Sequence, residues 1–227
     1  MGFTIIENIK FDLDFEELLT RLRIKEGTSY VKRLKQLVQE AENVANLKVL
    51  YKLAYIEDKG DDTVVIDGIK FSSRVLRVNL EKVNRVFAYV ATCGYELEKW
   101  SEGFTDMLEV FWVDAIKELG LRSARNALTK HLKDKYEMGK IAEMNPGSLG
   151  DWPISQQKEL FQLLDDPKEL IGVELKSSFL MTPIKSVSGI YFPTETNYKN
   201  CMLCPKEECP GRKAPYDEKL YNEKYAK

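Results

Sequence analysis

The strongest constraint on the fold is a helical pattern running from Thr105 to Tyr136. Leu108, Phe111, Trp112, Ala115, Ile116 and Leu119 fall on one face, and Leu121, Ala124, Leu128 and Leu132 continue the stripe beyond Gly120. Apolar residues at three-to-four spacing over so long a stretch require a helix with one buried side. That side needs a partner surface of similar length, and the segments before it alternate like strands. The spacing predicts a central helix packed on a sheet, with a kink at Gly120. His131, the only histidine, lies beside the second stripe and is expected at the core boundary.

From Leu47 to Phe71, Val49, Tyr51, Leu53 and Tyr55 alternate, Gly60-Asp61-Asp62 turns, and Val64, Ile66 and Ile69 return, with Asp67-Gly68 as a tight-turn signal. Asn79 is expected to cap a single turn. Arg85–Thr92 is an apolar run short enough for a buried strand; it ends at Cys93-Gly94 and passes into the helix-like Glu96–Trp100. Cys93 therefore sits on a strand-to-helix turn, a position that often carries function, or is a small buried hydrophobe. Upstream, Asp14 caps a short helix with Leu18, Leu19 and Leu22, and a second begins near Thr28 with Val31, Leu34, Val38 and Ala41 inward. Downstream, the loop Asn145–Pro153 is dense in turn residues, and its two glycines let a ligand approach the backbone. Ser155 is expected to cap the helix carrying Leu160, Phe161, Leu163 and Leu164. A short turn at Asp166-Pro167, an extended segment to Met181 and a charged surface helix or frayed end from Tyr216 complete the chain.

Three of the four cysteines form Cys201-x-x-Cys204-x-x-x-x-Cys209, with Arg212 just beyond. Pro205, Pro210 and Pro215 keep helix and central strand out of this tail, which suits a metal loop. The 34 basic and 36 acidic residues leave a net charge of −2, which points to neither nucleic acid nor a membrane surface. The first residues lack a basic region followed by an apolar run, and no segment approaches the roughly 18 apolar residues of a membrane span. The expectation is a cytoplasmic protein, where clustered thiols are metal ligands or redox centres more often than disulfides.

Asn145-Pro146-Gly147, Gly150-Asp151-Trp152-Pro153, the helix with Leu160-Phe161-x-Leu163-Leu164, and Met181-x-Pro183-x-x-Ser186-Val187-Ser188-Gly189-Ile190-Tyr191-Phe192 together resemble the activation (reactivation) domain of cobalamin-dependent methionine synthase. The resemblance implies an α+β, C-shaped domain with a bent antiparallel sheet flanked by helices, one of them long and central. It also implies S-adenosylmethionine in a shallow groove, with Pro146, Gly147 and Ser148 on one wall and Ser188, Gly189 and Tyr191 on the other. The methyl donor would be presented to the cobalamin of a partner protein while an electron arrives from a flavodoxin- or ferredoxin-type donor. The family's loop reads Arg-x-x-Pro-Gly-Tyr, its arginine gripping the ligand carboxylate; here Glu143 and Ser148 occupy the outer positions, and a carboxylate would repel that group. The cysteine tail is a second departure. With Cys93 as fourth ligand beside Cys201, Cys204 and Cys209, it would hold a 4Fe-4S iron–sulfur cluster or zinc, and unligated thiols are the third possibility.

The chain thus divides into an N-terminal helical segment at 1–46, an activation-domain-like unit at 47–198 and a cysteine-rich tail at 199–227. The expected role is reductive reactivation of a corrinoid protein, accessory to a cobalamin-dependent methyltransferase. The alternatives are a non-catalytic corrinoid-protein binding module with a structural zinc, and a methyltransferase that uses S-adenosylmethionine directly.

Overall fold

The computed structural model describes residues 2–209 and 211–226; Met1, Lys227 and the tail proline Pro210 lie outside the described residues. A seven-stranded antiparallel sheet forms the middle layer. Its strands are β1 (Phe3–Ile6), β2 (Lys48–Lys59), β3 (Thr63–Ile66), β4 (Ile69–Ser72), β5 (Arg85–Thr92), β6 (Ile141–Met144) and β9 (Ser186–Pro193), in the order β4-β3-β2-β5-β9-β6, with β1 also paired to β2. β7 (Glu174–Leu175) and β8 (Met181–Thr182) make a separate two-stranded ribbon.

β5 explains the layering. It is covered on both sides, so its run is apolar throughout, and alternate residues enter different cores. Val86, Ala88 and Val90 join one core, whereas Phe87, Tyr89, Ala91 and Cys93 join the other. The second core is roofed by α1 (Phe15–Leu22), α2 (Ser29–Val44), α4 (Tyr95–Ser101) and α5 (Met107–Tyr136). Asp14 and Asp106 cap α1 and α5 by accepting from backbone N–H groups two and three residues on, at 3.0–3.1 Å. The first core is closed by α3 (Arg74–Asn79), α6 (Gln157–Leu163), α7 (Pro167–Ile171), the loop around Leu149 and Trp152, and the tail with α8 (Glu218–Lys224). This is the expected α+β architecture, with a 30-residue central helix. No helix among the described residues is long and apolar enough to cross a membrane.

Three expectations change. α5 runs unbroken through Gly120, whose missing side chain instead admits Phe11 and Leu47, 3.3 and 3.4 Å from where a Cβ would sit. Asn79, expected to cap a turn before Arg85, is instead the last residue of α3, a helix absent from the sequence reading, which Ser73 caps by accepting from Leu76 N at 2.9 Å. Ser155 lies inside a 3-10 turn leading into α6 and caps nothing. The expected surface helix is present as α8, which buries none of its own residues, and Tyr225 just after it is held: its ring is buried, its hydroxyl donates to Asn79 Oδ1 at 2.8 Å, and Arg74 Nε donates to Tyr225 O at 3.0 Å.

Candidate functional site

β6 ends at Met144, and the loop that follows is held from several sides. Asn145 Nδ2 donates to Ser188 O and to Tyr89 Oη, each at 2.9 Å. Gly147 takes a positive φ of 83°, and its N–H donates to Trp152 O at 2.7 Å. Asp151 accepts from Val75 N at 2.9 Å and from the Ser73 hydroxyl, which ties the loop to α3. A Cβ on Gly189 would lie 2.4 Å from Asn145 Nδ2 and 2.5 Å from Met144 O, so only glycine lets the strands approach this closely. The Pro146-Gly147 turn and the Ser188-Gly189 segment are thus neighbours. The Ser188 hydroxyl is buried without a hydrogen-bond partner among the described residues.

Tyr191 is placed differently. Three positions from Ser188 on one strand, it projects from the other face. It is buried under α5, stacked on Tyr89 with ring centroids 4.9 Å apart. Tyr191 is therefore no wall of an open groove beside Ser188.

Glu143 also points inward. Its carboxylate pairs with Arg125 on α5 and accepts from the Tyr89 hydroxyl. Burial works to raise its pKa, but the Arg125 charge and the Tyr89 hydrogen bond outweigh it and hold the carboxyl below its ordinary value. The same burial, with Glu143 beside it, pushes the Tyr89 phenol up. The anion expected to face a ligand carboxylate is thus neutralised inside the helix layer. Arg125 and Tyr89 have no role in the sequence reading, and Asn145 enters it only as a turn residue of the loop. A signal existed for Arg125, which falls between Leu121 and Leu128 at four-and-three spacing, on the inward side of the helix.

The tail folds around Arg212. Its guanidinium donates to the carbonyls of Cys201 at 3.3 Å, Cys204 at 3.2 Å, Ala214 at 3.0 Å and also Lys206. Lys213 N donates to Cys201 Sγ at 3.3 Å, and Asn200–Leu203 forms a 3-10 turn. Leu203 is buried, and Cys204 packs against the first core. Between this turn and the Ser148–Asp151 loop lies a cavity of about 420 Å³, walled also by Val75, Tyr216 and Tyr221.

Cys93 is not with the other thiols. It is buried in the second core, on the far face of the sheet from Cys204. Burial, with Glu98 nearby, pushes its thiol up to about 12, so the thiolate a metal needs is disfavoured. The fourth-ligand expectation for Cys93 is corrected by strand alternation: odd-numbered residues of β5 enter the helix layer. Cys201, Cys204 and Cys209 remain together in the tail, although among the described residues no three His, Cys, Asp or Glu side chains are disposed as a metal site. His131 is a boundary residue, its Nε2 2.9 Å from the Tyr51 hydroxyl.

The chain is thus an antiparallel sheet roofed on one face by a long helix, with a glycine-opened loop at its β6–β9 edge. Residues 127–210, a little over a third of the chain, match the family model described as "Vitamin B12 dependent methionine synthase, activation domain". The matched segment starts within α5, includes β6, the loop and β9, and crosses the boundary drawn at 198 to take in all three tail cysteines. Among solved structures, a MetH reactivation domain bound to AdoHcy is similar, with a TM-score of 0.59 and 16% identity over 88% of this chain and 82% of that one. No curated protein matches. The resemblance seen in the sequence is thereby shown, in fold along most of the chain and in family signature across its second half.

Proposed function

We propose that this protein supports reductive reactivation of a cobalamin-carrying partner, presenting S-adenosylmethionine at the Pro146-Gly147-Ser148 turn while Cys201, Cys204 and Cys209 hold a metal group alongside. The observation that carries the reading is the shared cavity: Ser148–Asp151 form one wall and Cys204 another. The unpaired, buried Ser188 hydroxyl behind the turn also suits a ligand-facing position.

Cob(II)alamin is reduced to Co(I) only at low potential, so the reaction needs a low-potential electron and a step that removes the product. A flavodoxin- or ferredoxin-type donor would supply the electron. Transfer of the donor's methyl group to Co(I) forms the Co–CH3 bond, breaks the S–CH3 bond and releases S-adenosylhomocysteine. An iron–sulfur group on the tail would add a relay for the electron. The chain's own part is positional: Asn145 fixes the turn against β9, Gly147 exposes backbone, and Arg212 keeps the thiol turn folded.

A colourless protein containing zinc and no sulfide would favour the non-catalytic binding module with a structural metal. Anaerobic purification with iron, sulfide and zinc quantified separates the two. The donor role is tested by titrating S-adenosylmethionine calorimetrically and following methylation of a cobalamin protein under reducing conditions; absence of both binding and stimulation sinks it. Cys204→Ser is expected to lose most of the bound metal, whereas Cys93→Ser keeps it. Equal losses in the two variants would restore Cys93 as a ligand.

A further inference from the structure

The cavity of about 420 Å³ between the Ser148–Asp151 loop and the tail has the size of a small-molecule site. Leu149, Leu203 and Pro205 make much of its wall apolar, and Tyr216 and Tyr221 add two aromatic side chains that stay 39% and 38% exposed. Tyrosines left that open on a cavity wall have ring surface to offer a ligand. Asp151 is the one charged lining residue; no Lys, Arg or His lines the cavity among the described residues. Its Oδ2 accepts from Val75 N at 2.9 Å and from the Ser73 hydroxyl. Both donors are neutral, so the carboxylate is fixed in place without having its charge cancelled.

A carboxylate, two tyrosine rings and an otherwise apolar surface suit a weakly hydrated organic cation. Ring faces attract such a cation through their quadrupoles, and the carboxylate adds a longer-range pull. A phosphate or a free carboxylate would meet no counter-charge. We propose that this cavity receives the sulfonium centre of S-adenosylmethionine, with Tyr216, Tyr221 and Asp151 recognising the positive charge, an inference that rests on the donor role proposed above. Methyl transfer carries CH3+ to Co(I) and leaves the bonding pair on sulfur, so the cation becomes a neutral thioether. The cavity thereby holds the donor more tightly than the spent product and favours their exchange after each methylation. This selection belongs to the tail, because Tyr216 and Tyr221 both lie beyond the residues that match the family model.

The test titrates the full chain calorimetrically with S-adenosylmethionine and S-adenosylhomocysteine at low and high salt. At low salt the donor is expected to bind about tenfold more tightly than the product, and the ratio should shrink as salt rises. The double variant Tyr216→Leu/Tyr221→Leu keeps apolar bulk at two partly exposed positions and should lower that ratio at least about threefold, chiefly by weakening the donor. Asp151→Asn retains an acceptor for Val75 N and Ser73, and should lower the ratio and remove its salt dependence. Should Asp151→Asn fail to fold, the tyrosine variant decides alone. Equal affinities for donor and product in the native chain, or a ratio that the variants leave unchanged, overturns the inference and leaves the donor-presenting role standing. Failure of both ligands to bind the native chain removes that role as well.

Discussion

Arg125→Ala is expected to lower stability by about 3 kcal/mol, because it leaves the Glu143 carboxylate buried without its counter-charge. The side chains of Arg125 and Glu143 keep only 25% and 16% of their exposure, so this is no surface ion pair of marginal worth. For a chain of this length, the loss corresponds to a fall in Tm of roughly 6–12 °C. The pH dependence has a definite sign. In the native protein the Glu143 carboxyl is held below its ordinary value, so its contribution is present above the unfolded pKa of about 4.3 and is lost as pH falls through the folded value. In the variant the Arg125 charge no longer opposes burial, which leaves the Tyr89 and Asn145 hydrogen bonds and the Lys213 charge to do so, and the folded pKa moves up, shrinking the contribution made above about pH 4.3. The gap between native and variant Tm should be widest near neutrality and shrink below about pH 4. A gap constant with pH would mean that Glu143 is not the group left exposed to the loss. The double variant Arg125→Met/Glu143→Leu, with no charge left to bury, should recover most of the stability.

That pair also marks what could be read before the coordinates. The long helix, the cap at Asp14, and strands β2 to β5 follow from local signals, since each is complete within its own stretch of chain. β6 is four residues long and owes its burial to pairing with β9 about 50 positions on, which no window around it contains. The loop after β6 was visible through its glycines, and the thiol spacing through its prolines. Which thiols meet was not, because that depends on where the tail docks; once Leu203 and Tyr225 pack against the first core, the parity of β5 puts Cys93 on the wrong face. The placement of Tyr191 opposite Ser188 follows from period-two alternation alone. Glu143 looked like a change of ligand chemistry and is a change of core chemistry, because its partner sits 18 residues earlier on a helix that crosses over it.

The second large effect is expected from Gly189→Ala. The new methyl group would meet Met144 O at 2.5 Å, Asn145 Nδ2 at 2.4 Å and Tyr89 Cε1 at 3.1 Å. Of these, Asn145 could swing aside, but only by giving up its bonds to Ser188 O and Tyr89 Oη; Met144 O is main chain, so relief requires β6 to shift along or away from β9. Forcing an extra carbon into a packed interior costs about 1–3 kcal/mol, and here the shift also uncouples the loop that carries Pro146 and Gly147. Gly147→Ala supplies the contrast. Its cost is the left-handed backbone, about 1–2 kcal/mol, plus a 3.1 Å approach to Ile154 Cβ, a milder contact than the 2.5 Å meeting with Met144 O. Gly189→Ala should therefore lower Tm by at least as much as Gly147→Ala and should also weaken S-adenosylhomocysteine binding about tenfold or more, since it moves the turn as a unit. Calorimetric melting and ligand titration on the two variants check this. Native-like affinity in a destabilised Gly189→Ala protein would separate the β6–β9 junction from the ligand site, and the turn would have to be positioned by Asp151 and Trp152 alone.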